Sequence, residues 1–338
     1  MEYRQIADTD LHVSVVGLGG NVYGPPRLDQ EQTAANIDRA LELGVNFLDT
    51  AIGYGEGHSE TFIGNALKGR RDEMIIATKF AMRNRKEGVS VRQHILDSCD
   101  ESLAKLQTDH IDLYQIHQPD PSIPEEEIME PLAQLVEQGK ARYLGESNYG
   151  AWRHAVTNAV AEHNDWPRMV SAQNHYNILR RHVELEILPY CRRFNVAFLP
   201  YFPLGGGFLT GKYRPGEAPP PGSRGAEGSG IIAKTRNERN EAILAQLEAF
   251  CAERNRSVLE LAFGWLLAQQ AIPSVIAGTS SPAQIEANVN AAAWTLTDDE
   301  VAEVNRIAAW DGSGEVVDGS AGGVGARAGL AANQAARG

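Results

Sequence analysis

The chain has 338 residues, 43% hydrophobic and 22% charged, enough for about two ordinary domains or for one α/β barrel with a sizeable core. Lys plus Arg is 31 against 44 Asp plus Glu, and the resulting formal charge of −13 argues against nucleic acid or an anionic membrane as the main partner, because both need a basic footprint. Anionic small molecules stay in play, since a local pocket can be positive on an acidic protein. No apolar run approaches the roughly 18 to 20 residues of a membrane helix, and the start, MEYRQIADTD, has neither the basic nor the apolar part of a signal peptide. Cys99, Cys191 and Cys251 match no zinc or redox spacing, so a reducing, cytoplasmic compartment is expected.

In chain order, residues 3–6 and 11–14 flank Ala7-Asp8-Thr9-Asp10 and predict a hairpin suited to plugging the N-terminal mouth of a barrel. Apolar runs with β-branched content predict eight strands, at 15–19, 46–51, 74–80, 111–117, 143–148, 170–177, 197–204 and 274–278. Helical periodicity predicts helices at 31–43, 60–67, 91–106, 124–138, 151–162, 183–193 and 257–269. Asp29 with Gln32, and Ser90 with Gln93, have the spacing of capping boxes. Residues 205–230, rich in Gly and Pro, form a loop long enough to be functional.

Eight short strands alternating with helices predict parallel βαβ units closed into a (β/α)8 TIM barrel, with an N-terminal hairpin and an extra C-terminal helix and tail. The competing doubly wound sheet would bring a GxGxxG turn after its first strand. Here Gly17-Leu18-Gly19-Gly20-Asn21 is followed by no glycine at that spacing before Pro25-Pro26, and the open sheet loses. A single barrel domain is expected over 1–310, and a poorly packing Gly/Ala-rich tail over 311–338.

Barrel enzymes carry their sites on the C-terminal ends of the strands. Those ends offer Asp49 with Tyr54 in the following loop, then Lys79, then His117, from three consecutive strands. A phenol of ordinary pKa near 10 is a feeble acid at neutral pH. A nearby ammonium favours its phenolate and lowers that pKa, and Asp49 would hold Lys79 charged. With His117 donating to a developing oxyanion, the set protonates a carbonyl oxygen while something else delivers an electron pair to the carbon. None of the four is a hydride donor, so a nicotinamide cofactor is the implied partner. No metal is expected: His94, His110 and His117 are not arranged as a ligand set.

The segments Asn46-Phe47-Leu48-Asp49-Thr50-Ala51 with Tyr54-Gly55, Ala77-Thr78-Lys79, Ile111 to His117, and Gly145-Glu146-Ser147-Asn148-Tyr149 resemble the aldo-keto reductase superfamily. So do Gln173-Asn174-His175-Tyr176-Asn177, Pro203 to Lys212, and Gly278-Thr279-Ser280-Ser281-Pro282 with Gln284 and Asn288. The resemblance covers about residues 3–309, and the loop pattern is similar to the bacterial branch allied to potassium-channel β subunits. The resemblance implies NADPH-dependent reduction of an aldehyde or ketone, reversible as alcohol oxidation. It makes Tyr54 the general acid, Lys79 and Asp49 its tuning pair, and His117 the residue that orients the carbonyl.

It further implies that Ser147, Asn148 and Gln173 hold the nicotinamide carboxamide and that Tyr201 stacks on the ring. Leu204 and Gly206 cross the pyrophosphate; Gly278, Thr279, Ser280, Gln284 and Asn288 take the adenosine end; Gly20 and Asn21 meet the ring and ribose. Two residues depart from the pattern: Phe202 stands where many relatives have Ser, and Ala287 where many have Glu. No cation stands at 278–280 for a 2′-phosphate, which leaves Lys212 as the candidate and NADH as the alternative to NADPH. The intact His117 favours carbonyl over carbon–carbon double-bond reduction. The expected substrate is a small carbonyl or alcohol, with no obligate protein partner; Tyr23, Trp152, Tyr176, Phe208 and Trp310 are candidate apolar liners. The alternative is an NADPH-sensing regulatory subunit like the channel β subunits, weakened by the lack of an extension ahead of the hairpin.

Overall fold

The structure, a computed structural model, describes residues 1–310 other than Pro215. Strands β1 (Tyr3–Gln5) and β2 (His12–Ser14) pair antiparallel as the expected hairpin. Eight parallel strands follow: β3 (Val16–Gly19), β4 (Phe47–Asp49), β5 (Ile75–Phe80), β6 (Ile111–Ile116), β7 (Ala141–Ser147), β8 (Met169–His175), β9 (Ala197–Tyr201) and β10 (Val275–Ala277). Their order, β10-β3-β4-β5-β6-β7-β8-β9, brings the last strand back to the first and makes a nearly closed (β/α)8 barrel. All eight expected strands are present, most of them shorter than expected because the polar residues at their ends leave the ladder for the loops.

The strands alternate in chemistry as well as in direction of side chain. Phe47, Ala77, Leu113, Val170, Leu199 and Ile276 point inward near the N-terminal end and pack with Ile6, Leu11 and Val13 of the hairpin segment, which plugs the barrel floor. Two residues further along three of the same strands, Asp49, Lys79 and Gln115 face the same interior as polar groups. The opposite faces, with Leu48, Ile76, Tyr114, Leu144 and Phe198, lie in the outer core under the helices.

The helices are α1 (Gln30–Glu42), α2 (Ser59–Ala66), α3 (Val91–Leu106), α4 (Glu125–Glu137), α5 (Ala151–His163), α6 (Ile187–Phe194), α7 (Gly230–Thr235), α8 (Glu238–Ala252), α9 (Val258–Leu267), α10 (Pro282–Ala291) and α11 (Asp298–Ile307). Asp29 and Gln32 form the full capping box at α1. At α3 only half of the expected box forms: Ser90 accepts from the Gln93 amide, but the Gln93 side chain donates to Asp97. The helix expected from 183 starts later, because residues 182–184 form a tight turn before α6. The loop expected over 205–230 is partly ordered, as a tight helical turn over 205–210, and hands over to α7. The tail at 311–338 lies outside the described residues. No helix among the described residues is long and apolar enough to cross a membrane.

Candidate active site

The polar layer at the C-terminal end of the barrel opens into a cavity of about 640 Å³. Lys79 is fully buried beneath it, and its ammonium donates to Asp49 Oδ2 at 2.6 Å and to the Thr50 carbonyl at 2.8 Å. Asp49 Oδ1 also accepts from the amides of Gln173 at 2.8 Å and Gln115 at 3.2 Å. Every donor around this carboxylate therefore comes from a different strand or loop, which fixes the layer. Burial pulls the Lys79 ammonium below its ordinary pKa, and the Asp49 charge opposes that pull.

Tyr54 stands over this pair, with Lys79 Nζ 5.2 Å from its ring centroid. Its loop closes through Gly55 at φ +55°, where a Cβ would lie 2.0 Å from the Tyr23 carbonyl oxygen, so only glycine fits. The Tyr54 hydroxyl reaches His117 Nε2 at 3.4 Å, and the two rings meet edge to face. Burial, then the Asp49 charge, push the phenol above its ordinary pKa, with Arg83 pulling the other way. The net direction is thus opposite to that expected from an ammonium alone. Burial pulls His117 down to about 3, helped by the Lys79 and Arg83 charges, so the ring is neutral at physiological pH. A protonated phenol beside a neutral imidazole is a proton donor with a hydrogen-bonding guide.

The other expected residues gather on one wall. Ser147 donates to the Gln173 carbonyl at 3.0 Å. Asn148, at φ +63°, donates to the His117 carbonyl at 2.9 Å and accepts from the Tyr201 hydroxyl at 2.7 Å. The Tyr201 ring stacks on His175, and burial pushes its phenol up to about 12. Asn21, Phe202, Leu204, Gly206, Lys212, Gly278, Ser280, Gln284 and Asn288 line the same cavity. Gly20 and Thr279 stand behind the wall: their carbonyls accept from Ser59 and from Asn36, the latter at 3.2 Å. The candidate apolar liners do not reach the cavity. Tyr23, Tyr176 and Phe208 are core residues, Trp152 is exposed, and neither it nor Trp310 lines the wall. No group of three side chains able to hold a metal occurs among the described residues.

Two cations missing from the sequence-based set also line the cavity, Arg27 and Arg224. Arg27 pairs with Glu227 across the mouth. The Arg224 guanidinium lies over the Phe202 ring at 5.6 Å and beside Gly278, where a Cβ would be 3.4 Å from Nη2. Burial, then the neighbouring Arg27, hold Arg224 below its ordinary pKa. No carboxylate ion-pairs with it among the described residues. Such a guanidinium fits an anionic ligand. The only signal in sequence is an arginine in a Gly- and Pro-rich loop that already carries Lys212.

Residues 15–309 match the family model described as the Aldo/keto reductase family. The chain is 34% identical to "Aldo-keto reductase YhdN" of Bacillus subtilis (strain 168) over 91% of its own length and 93% of that protein. It is 31% identical to "Versiconal hemiacetal acetate reductase" of Aspergillus parasiticus over 89% and 95% of the two chains. It is also 33% identical to "Putative voltage-gated potassium channel subunit beta" of Schizosaccharomyces pombe (strain 972 / ATCC 24843), over 86% and 87%. With the barrel, its plugged floor and the cluster of Asp49, Tyr54, Lys79 and His117 in view, these matches make the chain a member of the aldo/keto reductase family and an NAD(P)H-dependent oxidoreductase.

Proposed function

We propose that the protein, through a catalytic barrel over residues 1–310, reduces an aldehyde or ketone with NADPH and oxidises the corresponding alcohol in reverse. The observation that carries this reading is the Tyr54 hydroxyl 3.4 Å from His117 Nε2, directly above the buried Lys79–Asp49 pair. NADPH, when bound, supplies a hydride to the carbonyl carbon. His117, held neutral, steers the carbonyl oxygen toward the Tyr54 hydroxyl, which donates its proton to that oxygen as the alcohol forms. Lys79 stabilises the negative charge left on the phenol, and Asp49 keeps Lys79 charged in a site that otherwise favours the neutral amine. Solvent then reprotonates Tyr54.

The residues present fit a dinucleotide. Ser147, Asn148 and Gln173 offer fixed donors and acceptors beside the reacting centre, and Tyr201 offers an aromatic face. Asn21, with Gly20 behind it, would border the ribose, and Leu204 and Gly206 would leave room for the pyrophosphate. Gly278, Ser280, Gln284 and Asn288, backed by Thr279, would border the adenosine. Arg224, with Lys212 and Arg27 nearby, supplies the positive charge that a 2′-phosphate needs, which favours NADPH over NADH. A steady-state assay of NADPH consumption across a panel of aldehydes and ketones tests the reading, with NADH in parallel. Turnover with at least one carbonyl, faster with NADPH, is expected. Cofactor binding without turnover on any of them would favour a cofactor-sensing regulatory subunit; one relative bears the name of a potassium channel β subunit.

A further inference from the structure

The segment after β5 is basic on an otherwise acidic chain. Arg83, Arg85 and Lys86 fall within four residues and are all exposed, against a formal charge of −13 for the whole sequence. Met82 is buried and anchors the tight turn over 82–84, which presents Arg83 outward immediately beyond Lys79 and Phe80. Arg83 Nη1 donates to Gln118 Oε1 at 2.9 Å. Gln118 follows His117 directly and lines the same cavity as Tyr54 and His117. The Gln118 contact ties Arg83 to the rim of the cavity next to His117, and its charge bears on both the Tyr54 phenol and the His117 ring.

Among the described residues its hydrogen-bond partner is the neutral Gln118 side chain. No carboxylate ion-pairs with Arg83 among the described residues, whereas Arg92 pairs with Glu130 and Arg142 with Asp10 and Asp112. A guanidinium has five N–H donors in a planar fork. One of them is used to fix its position, and the rest remain for a planar or tetrahedral anion. Three exposed cations within four residues also favour anions on this part of an acidic surface.

Resting on the carbonyl-reductase reading, we propose that Arg83, positioned by Gln118, recognises an anionic substituent on the substrate. The substrate class is therefore a carbonyl compound that also carries a carboxylate or a phosphate monoester. Arg83 selects substrate and moves no proton in the reaction.

The test compares two matched pairs with NADPH: para-carboxybenzaldehyde against its methyl ester, and glyceraldehyde phosphate against glyceraldehyde. The wild-type kcat/KM is expected to favour the anionic member of at least one pair by about tenfold, and the pair that shows it identifies the anion. In Arg83→Gln that preference is expected to fall about tenfold, through KM with kcat retained, and Arg83→Lys is expected to recover part of it. Equal rates within both pairs, or a preference unaltered in Arg83→Gln, would overturn the inference. If none of the four compounds is reduced, the carbonyl-reductase reading is decided by the wider panel of aldehydes and ketones. The anion site is then read by titrating terephthalate and inorganic phosphate into the NADPH complex. Binding about tenfold tighter in wild type than in Arg83→Gln supports it, and equal affinity contradicts it.

Discussion

At the scale of single residues, the site depends on charges kept in a place that disfavours them. Lys79 and Asp49 are both buried, so each is stable only because the other is present. Lys79→Met leaves the Asp49 carboxylate without its ammonium and is expected to cost about 3–5 kcal/mol of folding stability together with turnover. Removing both charges in Asp49→Asn/Lys79→Met should restore most of the stability without the activity, as urea melts and NADPH consumption will show. Wild-type turnover in the double variant would contradict the role given to the pair. His117 carries a second prediction. Its native pKa of about 3 lies below its ordinary value of 6.5, so between those values the unfolded chain binds a proton that the native ring refuses. This contribution is harmless above pH 6.5, and stability is lost progressively as pH falls from 6.5 toward 3. His117→Asn should therefore lose less Tm than wild type between pH 7 and pH 5. An equal loss in the two proteins would mean that His117 is not held neutral.

At the scale of elements, two loops decide the geometry. The turn carrying Tyr54 passes so close to the Tyr23–Gly24 backbone that Gly55→Ala must displace it, both by contact and by its left-handed φ. We expect Gly55→Ala to lower kcat at least tenfold, with NADPH affinity kept. A fluorescence titration beside the rate assay separates the two, and unchanged kcat would show that the loop tolerates the shift. The loop running from Gly205 through Arg224 opens with three glycines in succession at positive φ, which turn the chain across the cavity beside Phe202. Because the Arg224 charge is the one best placed for a phosphate, Arg224→Gln should raise the KM for NADPH about tenfold and change that for NADH less. Equal effects on the two cofactors would mean that Arg224 holds the pyrophosphate rather than the 2′-phosphate.

At the scale of the whole molecule, the barrel was legible because its information is periodic. Apolar runs such as Met74–Ala77 end in a polar strand-end residue, Lys79, and the same step recurs from Phe47 to Asp49 and from Leu113 to Gln115. The N-terminal plug was legible too, from two short apolar stretches around Ala7-Asp8-Thr9-Asp10. One extra C-terminal helix was expected without bounds, whereas α8, α10 and α11 break the one-strand, one-helix rhythm and were not delimited, although Ile243, Leu244, Leu247, Phe250 and Cys251 trace a buried helical stripe. Arg27 and Arg224 could not be placed from sequence, since only the folded loop brings them to one wall. The upward direction at Tyr54 was equally hidden, because burial is a property of the packed barrel and, with the Asp49 charge, outweighs the pull of Arg83.

The most direct measurement is NADPH oxidation by wild type and Tyr54→Phe on one reducible aldehyde, with NADPH affinity determined for both. Loss of the phenolic proton is expected to slow turnover at least about a hundredfold, with the two affinities agreeing within about twofold. A variant that keeps more than about a tenth of the wild-type rate would mean that another group protonates the carbonyl oxygen.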